Sequence, residues 1–130
     1  MLLTFNYELP LGHRLMEHPG KCKYLHGHNY VIEVAVGGKL DLVTDMLMDF
    51  SDLKKTVKQY FDEWDHGFVL RVDDPAVEAI RQYSKLITIP SHPTAEMLSL
   101  IWRQGLQALF PNNSVGIRVR ETRDCGAFLV

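Results

Sequence analysis

The stretch "CKYLHGHNYVIEVAVGG", residues 22–38, carries both the fold and the chemistry of this chain. From His28 onward it alternates, with Tyr30, Ile32, Val34 and Val36 on one side. A period of two is the mark of a strand with one buried face. His26 and His28 continue the same parity, so both imidazoles project from the apolar side of the strand start. Gly27 between them lets the backbone approach closely. Two histidines at i and i+2 are either a hydrogen-bonded polar strand end or two ligands of one metal ion.

Working towards the N-terminus, "LLTFNYEL" (2–9) alternates again, with Leu3, Phe5, Tyr7 and Leu9 on one face. Continuing that parity through Leu11 reaches His13. If the first two strands pair, His13 meets His26 and His28 near one sheet face, ahead of His18, His66 and His92 as the third ligand. A catalytic zinc takes three protein ligands and keeps a position open. Cys22 is either a fourth ligand of a closed site or a free base or nucleophile, and the spacing leaves both open. Lys21 and Lys23 flank it, and nearby cations favour the thiolate.

Towards the C-terminus, Gly37-Gly38 predicts a hairpin into a strand within 42–49. The period then changes. Phe50, Leu53, Val57, Tyr60, Phe61 and Trp64 recur at three and four, one face of a helix capped by Asp49 or Ser51. "DHGFVLRVDDP" reads as a loop, 75–83 as a short helix and "KLITIP" as extended. A second long helix follows Thr94, its N-cap, with Glu96 suited to the dipole in the first turn. Met97, Leu98, Ile101, Trp102, Leu106 and Leu109 face inward. "SVGIRVRE" (114–121) is the last strand, and its parity carries Glu121 onto the apolar face. There Glu121 is either frayed into solvent or a recognition group for a ligand with adjacent N–H donors. Asp65-His66, at the end of the first helix, is either a polar terminus or a proton carrier oriented by a carboxylate.

The expected fold is α+β: a four-stranded antiparallel sheet with two main helices on one face, in a single domain spanning 1–130. Unpaired sheet edges predict an oligomer. At 130 residues the chain can bury a core without disulfides, and two cysteines are too few for a disulfide framework. A formal net charge of −2 argues against a nucleic-acid or anionic-membrane binder, although Arg14, Lys21, Lys23, Arg118 and Arg120 leave room for a local basic pocket. The N-terminus lacks the pattern of a signal peptide and no segment suits a bilayer span, which places the expected site of action in the cytoplasm. Cys125 reads as a core thiol.

The order of these features resembles the 6-pyruvoyl-tetrahydropterin synthase family, and within it the bacterial 6-carboxy-tetrahydropterin synthases of queuosine biosynthesis. The motifs are "HRL" (13–15), C-x-x-x-H-G-H (22–28), "DFSDLK" (49–54), "WDH" (64–66), "PTAE" (93–96) and "ET" (121–122). The resemblance implies the tunnelling fold, an oligomeric barrel, and a homo-hexamer of two trimers with sites between subunits. It implies zinc on His13, His26 and His28. Cys22 is then the catalytic thiol, Asp65 and His66 complete the proton relay, and Glu121 anchors the pterin and counts with the relay. Thr94 and Glu96 join Glu121 in substrate binding.

The implied reaction converts 7,8-dihydroneopterin triphosphate to 6-carboxy-tetrahydropterin, acetaldehyde and triphosphate. In the pyruvoyl branch the side chain is only rearranged. This chain departs from the family at "LGHRL" before the first histidine, at Gly67, at His92 and in the tail "RDCGAFLV". A specialised paralogue that binds zinc or pterin without this turnover is therefore a rival reading. A hydrolase using zinc-bound hydroxide is a weaker one, because it gives Cys22 and Glu121 no role.

Overall fold

Strands β1 (Leu2–His13) and β2 (His26–Gly37) pair antiparallel along their whole length, from Leu2 opposite Gly37 to His13 opposite His26. The computed structural model describes residues 1–130. The pairing turns two alternating sequences into one apolar face, with Leu9, Leu11, Tyr30, Ile32, Val34 and Val36 buried on it. β5 (Ser114–Arg120) adds Val115, Ile117 and Val119 by pairing antiparallel with β2.

Helices α1 (Phe50–Asp62) and α3 (Ala95–Leu109) cover this face. They contribute Leu53, Val57 and Phe61, and Leu98, Trp102 and Leu106, to one cluster of 19 buried residues. Trp102 packs edge-to-face against Tyr30, Phe61 and Trp64, with ring centroids 6.1, 5.4 and 5.4 Å away. Asp49 caps α1 by accepting from the Ser51 N–H at 2.7 Å. Thr94 caps α3 by accepting from the Met97 N–H at 3.1 Å. Phe50 and Leu109, expected to face inward, are exposed at the two helix termini, and Phe110 is buried in place of Leu109.

The expected α+β layer is present, but its sheet has six strands, in the order β4 (Lys85–Ile89), β3 (Gly67–Arg71), β1, β2, β5 and β6 (Gly126–Leu129). Residues 67–71, expected to be a loop, form β3 (Gly67–Arg71), which lies parallel to β1. Val69 and Leu70 are both fully buried, so the segment carries no alternation to betray it. β4 (Lys85–Ile89) runs parallel to β3, with α2 (Ala76–Ile80) and a 3-10 turn at Arg81–Tyr83 making the crossover that parallel strands require.

The tail forms a sixth strand, β6 (Gly126–Leu129), antiparallel to β5. Cys125 lies exposed in the turn before it and is not a core thiol. No strand forms in 42–49. The Asp41 carboxylate accepts from the amides of Val43 and Thr44 at 2.8 and 3.0 Å, and Asp45 has φ 58°, which holds the segment in turns. No helix is long and apolar enough to cross a membrane.

Candidate metal centre

The β1–β2 register carries the site. His13 and His26 are direct cross-strand partners, and His28 is opposite Leu11. All three side chains emerge on the core face at the open end of the strand pair. One ligand atom from each lies within 4.8 Å of the others, with ring centroids 4.6 to 5.2 Å apart.

Two backbone carbonyls set the tautomers. His13 Nδ1 lies 2.8 Å from the Pro93 carbonyl, and His26 Nδ1 lies 2.6 Å from that of Tyr24. A carbonyl only accepts, so both Nδ1 atoms carry the proton and donate, leaving each Nε2 as a lone pair. His28 Nε2 is buried without a hydrogen-bond partner. Burial holds the pKa of both His13 and His28 below the ordinary imidazole value, which favours the neutral ligand form. An orphaned ring nitrogen beside two oriented lone pairs fits a divalent cation that accepts imidazole ligands.

Glu121 closes one side. It lies just beyond β5 with its side chain 27% exposed, and its Oε1 is 3.3 Å from His13 Nε2 and 3.6 Å from His28 Nε2. The Tyr30 hydroxyl donates to the same oxygen at 3.3 Å. Burial, then the Glu121 charge, pushes the Tyr30 phenol far above its usual pKa, so it stays a donor.

Cys22 sits half-buried in a 3-10 turn, Lys21–Lys23. Its carbonyl accepts from the Leu15 N–H at 2.8 Å, which ties the turn to the end of β1. Arg14 adds a second tether by donating to the Lys23 carbonyl at 3.3 Å.

Asp65 and His66 pair with each other at 2.9 Å, but no hydrogen bond or ion pair joins them to the three histidines, Cys22 or Glu121. His66 is 80% exposed and has φ 59°, a left-handed conformation fixed by its own N–H donating to the Pro10 carbonyl at 3.0 Å. It shares with His28 an open cleft of about 460 Å³, floored by the facing glycines Gly12 and Gly27. A Cβ at Gly12 would lie 2.3 Å from the Phe68 ring, so that floor stays bare.

Thr94 and Glu96 occupy the N-terminus of α3, next to the carbonyl that orients His13, with Thr94 engaged as the cap. Arg14, a candidate for a basic pocket, is instead committed to the buried Asp74. Its Nε donates at 2.7 Å to one carboxylate oxygen and its Nη2 to the other. That contact holds the Asp74 carboxyl below its usual pKa. Arg14→Ala is expected to cost about 2–3 kcal/mol in a urea melt, less than for a fully buried pair because Arg14 is partly solvated. The ion pair stabilises the fold above the ordinary aspartate range and is lost as pH falls through the lowered value. Without Arg14, burial raises the Asp74 carboxyl against only the Ala76 amide and nearby His92, so the acid limb of the stability profile moves to higher pH.

In the sequence Tyr30 reads only as a core residue, and no residue type signals the backbone acceptors supplied by Tyr24 and Pro93.

A family model described as 6-pyruvoyl tetrahydropterin synthase matches residues 2–130. A probable 6-carboxy-5,6,7,8-tetrahydropterin synthase of Halobacterium salinarum is 36% identical over 118 residues, 85% of this chain and 74% of that protein. The 6-carboxy-5,6,7,8-tetrahydropterin synthase of Rickettsia felis is 31% identical over 133 residues, 94% of each chain. The crystal structure of 6-pyruvoyl tetrahydropterin synthase from Plasmodium vivax superposes with a TM-score of 0.75 at 18% identity, covering 99% of this chain and 97% of that one. The last likeness is one of fold.

Proposed function

The chain belongs to the 6-pyruvoyl tetrahydropterin synthase family, and on that premise we propose that it is a zinc-dependent 6-carboxy-5,6,7,8-tetrahydropterin synthase of the queuosine pathway. Its substrates are 7,8-dihydroneopterin triphosphate and one water, and its products are 6-carboxy-tetrahydropterin, acetaldehyde and triphosphate. The observation that carries the reading is the convergence of three imidazoles on one point, with the Glu121 carboxylate 3.3 Å from the first of them.

His13, His26 and His28 hold the zinc, which supplies Lewis acidity towards the oxygens of the substrate side chain. Glu121 accepts two parallel N–H bonds from the amino-pyrimidinone edge and so fixes the ring. Cys22, as thiolate, takes a proton from the side-chain carbon. His66, oriented by Asp65, carries the second proton. Its exposure supports a role in the site of a neighbouring copy, within a hexamer of two trimers whose barrels pair the free edges at β4 and β6. Thr94 and Glu96 belong to the substrate-binding set, and the Thr94 cap holds the turn whose Pro93 carbonyl orients His13. Both cysteines are unpaired, in keeping with a reducing cytoplasm.

The test is to incubate the zinc-loaded protein with 7,8-dihydroneopterin triphosphate and identify products by mass spectrometry. 6-Carboxy-tetrahydropterin and acetaldehyde in equal amounts are expected. A 6-pyruvoyl product would move the chain to the other branch. Binding without turnover would make it a zinc- or pterin-binding paralogue.

A further inference from the structure

Tyr30 lies two residues beyond His28 on β2 and is fully buried. Its ring meets those of His13, His28 and Trp102 edge-on, at 6.0, 5.5 and 6.1 Å between centroids. Its hydroxyl is 3.3 Å from Glu121 Oε1, 3.3 Å from His13 Nδ1 and 3.5 Å from His13 Nε2. A phenol has one proton to give. His13 Nδ1 already carries its own proton, donated to the Pro93 carbonyl, so it cannot accept. His13 Nε2 is the longer contact, and its lone pair faces the metal position. The proton therefore goes to Glu121.

Glu121 needs that donor. The β5 ladder ends at Arg120, so the Glu121 side chain is not held by strand packing on both sides. The only other side-chain nitrogens near its Oε1 are Nε2 of His13 and of His28. Once these bind a metal they are lone-pair ligands with no proton to donate. The Tyr30 hydroxyl is then the one side-chain donor left to the carboxylate.

We propose that Tyr30 is a positioning residue that fixes the Glu121 carboxylate for the amino-pyrimidinone edge of the pterin, coupling the anchor to the wall of the metal centre. The inference rests on the proposed anchoring role of Glu121. A carboxylate offers about four lone-pair directions. With one of them on Oε1 occupied by Tyr30, the carboxylate cannot rotate freely, and both oxygens still present acceptors to two adjacent N–H groups.

Tyr30→Phe keeps the ring and its edge-on packing and removes only the hydroxyl. The test compares wild type, Tyr30→Phe and Glu121→Gln, all zinc-loaded. Zinc content, thermal midpoint, and fluorescence titrations with neopterin and with the lumazine that carries the same C6 side chain but a carbonyl in place of the 2-amino group are measured for each. Tyr30→Phe is expected to keep one zinc per chain and bind neopterin about tenfold more weakly, the loss typical of one hydrogen bond to a charged group. The loss of lumazine affinity should be clearly smaller, since only its N3–H, and no amino group, is left to meet the oriented carboxylate. In turnover, KM should rise by more than kcat falls.

Unchanged neopterin affinity in Tyr30→Phe, with Glu121→Gln weakened, overturns the Tyr30 link alone. Equal losses for neopterin and lumazine, or loss of zinc, would show a merely structural role and also overturn it. Neopterin affinity unchanged in Glu121→Gln removes the anchor itself, and the proposal with it.

Discussion

His28→Ala protein is expected to purify essentially without zinc and to show no turnover above background. The buried Nε2 of His28 has no hydrogen-bond partner in the protein, which fits a metal ligand. Three imidazoles are the whole donor set, and no cysteine or carboxylate joins them within ligand distance of one another. Loss of one leaves only two protein ligands. Outer-shell changes at zinc sites already cost about 10–100-fold in affinity, so loss of a ligand should exceed 100-fold. Titration against a chromophoric chelator measures this directly. The fold itself should survive, because His28 is at the rim of the sheet and outside the hydrophobic cluster. Stoichiometric zinc in His28→Ala would mean that the triad is not the metal site.

Cys22→Ala is expected to do the reverse: full zinc content, pterin binding within a few-fold of wild type, and turnover lower by about 10²–10⁴, the usual contribution of a positioned acid or base. The thiol stands apart from the ligand set, in a turn whose backbone is tied to Leu15, two residues beyond His13. Its turn is clamped by Leu15 and Arg14, so Ala substitution removes the sulfur without freeing the backbone. Single-turnover kinetics with product detection separates this chemical defect from weakened binding. Cys22→Ser should be nearly as impaired, because an alcohol is not deprotonated where a thiol is.

Much of this site was legible because strand parity is a strict code. Once β1 and β2 were read as half-buried strands, His13, His26 and His28 had to share a face, and so did Glu121 after β5. The turn at 41–46 escaped because its residues look like a strand until the Asp41 carboxylate takes the amides of Val43 and Thr44. β3 escaped because burial on both faces removes alternation, and β6 because four residues carry too little pattern. Asp65 and His66 read as a motif in the sequence, but within one chain no hydrogen bond or ion pair joins them to the triad. Arg14 was misjudged for a related reason. Its charge was visible, whereas its partner Asp74, sixty positions away, was not.

Zinc K-edge X-ray absorption on the loaded protein distinguishes a metal centre of three histidines with a free thiol from one in which Cys22 is a ligand. Three imidazole nitrogens at about 2.0–2.1 Å, a further light atom from solvent and no sulfur are expected. A sulfur shell at about 2.3 Å would make Cys22 a ligand and contradict its role as the base.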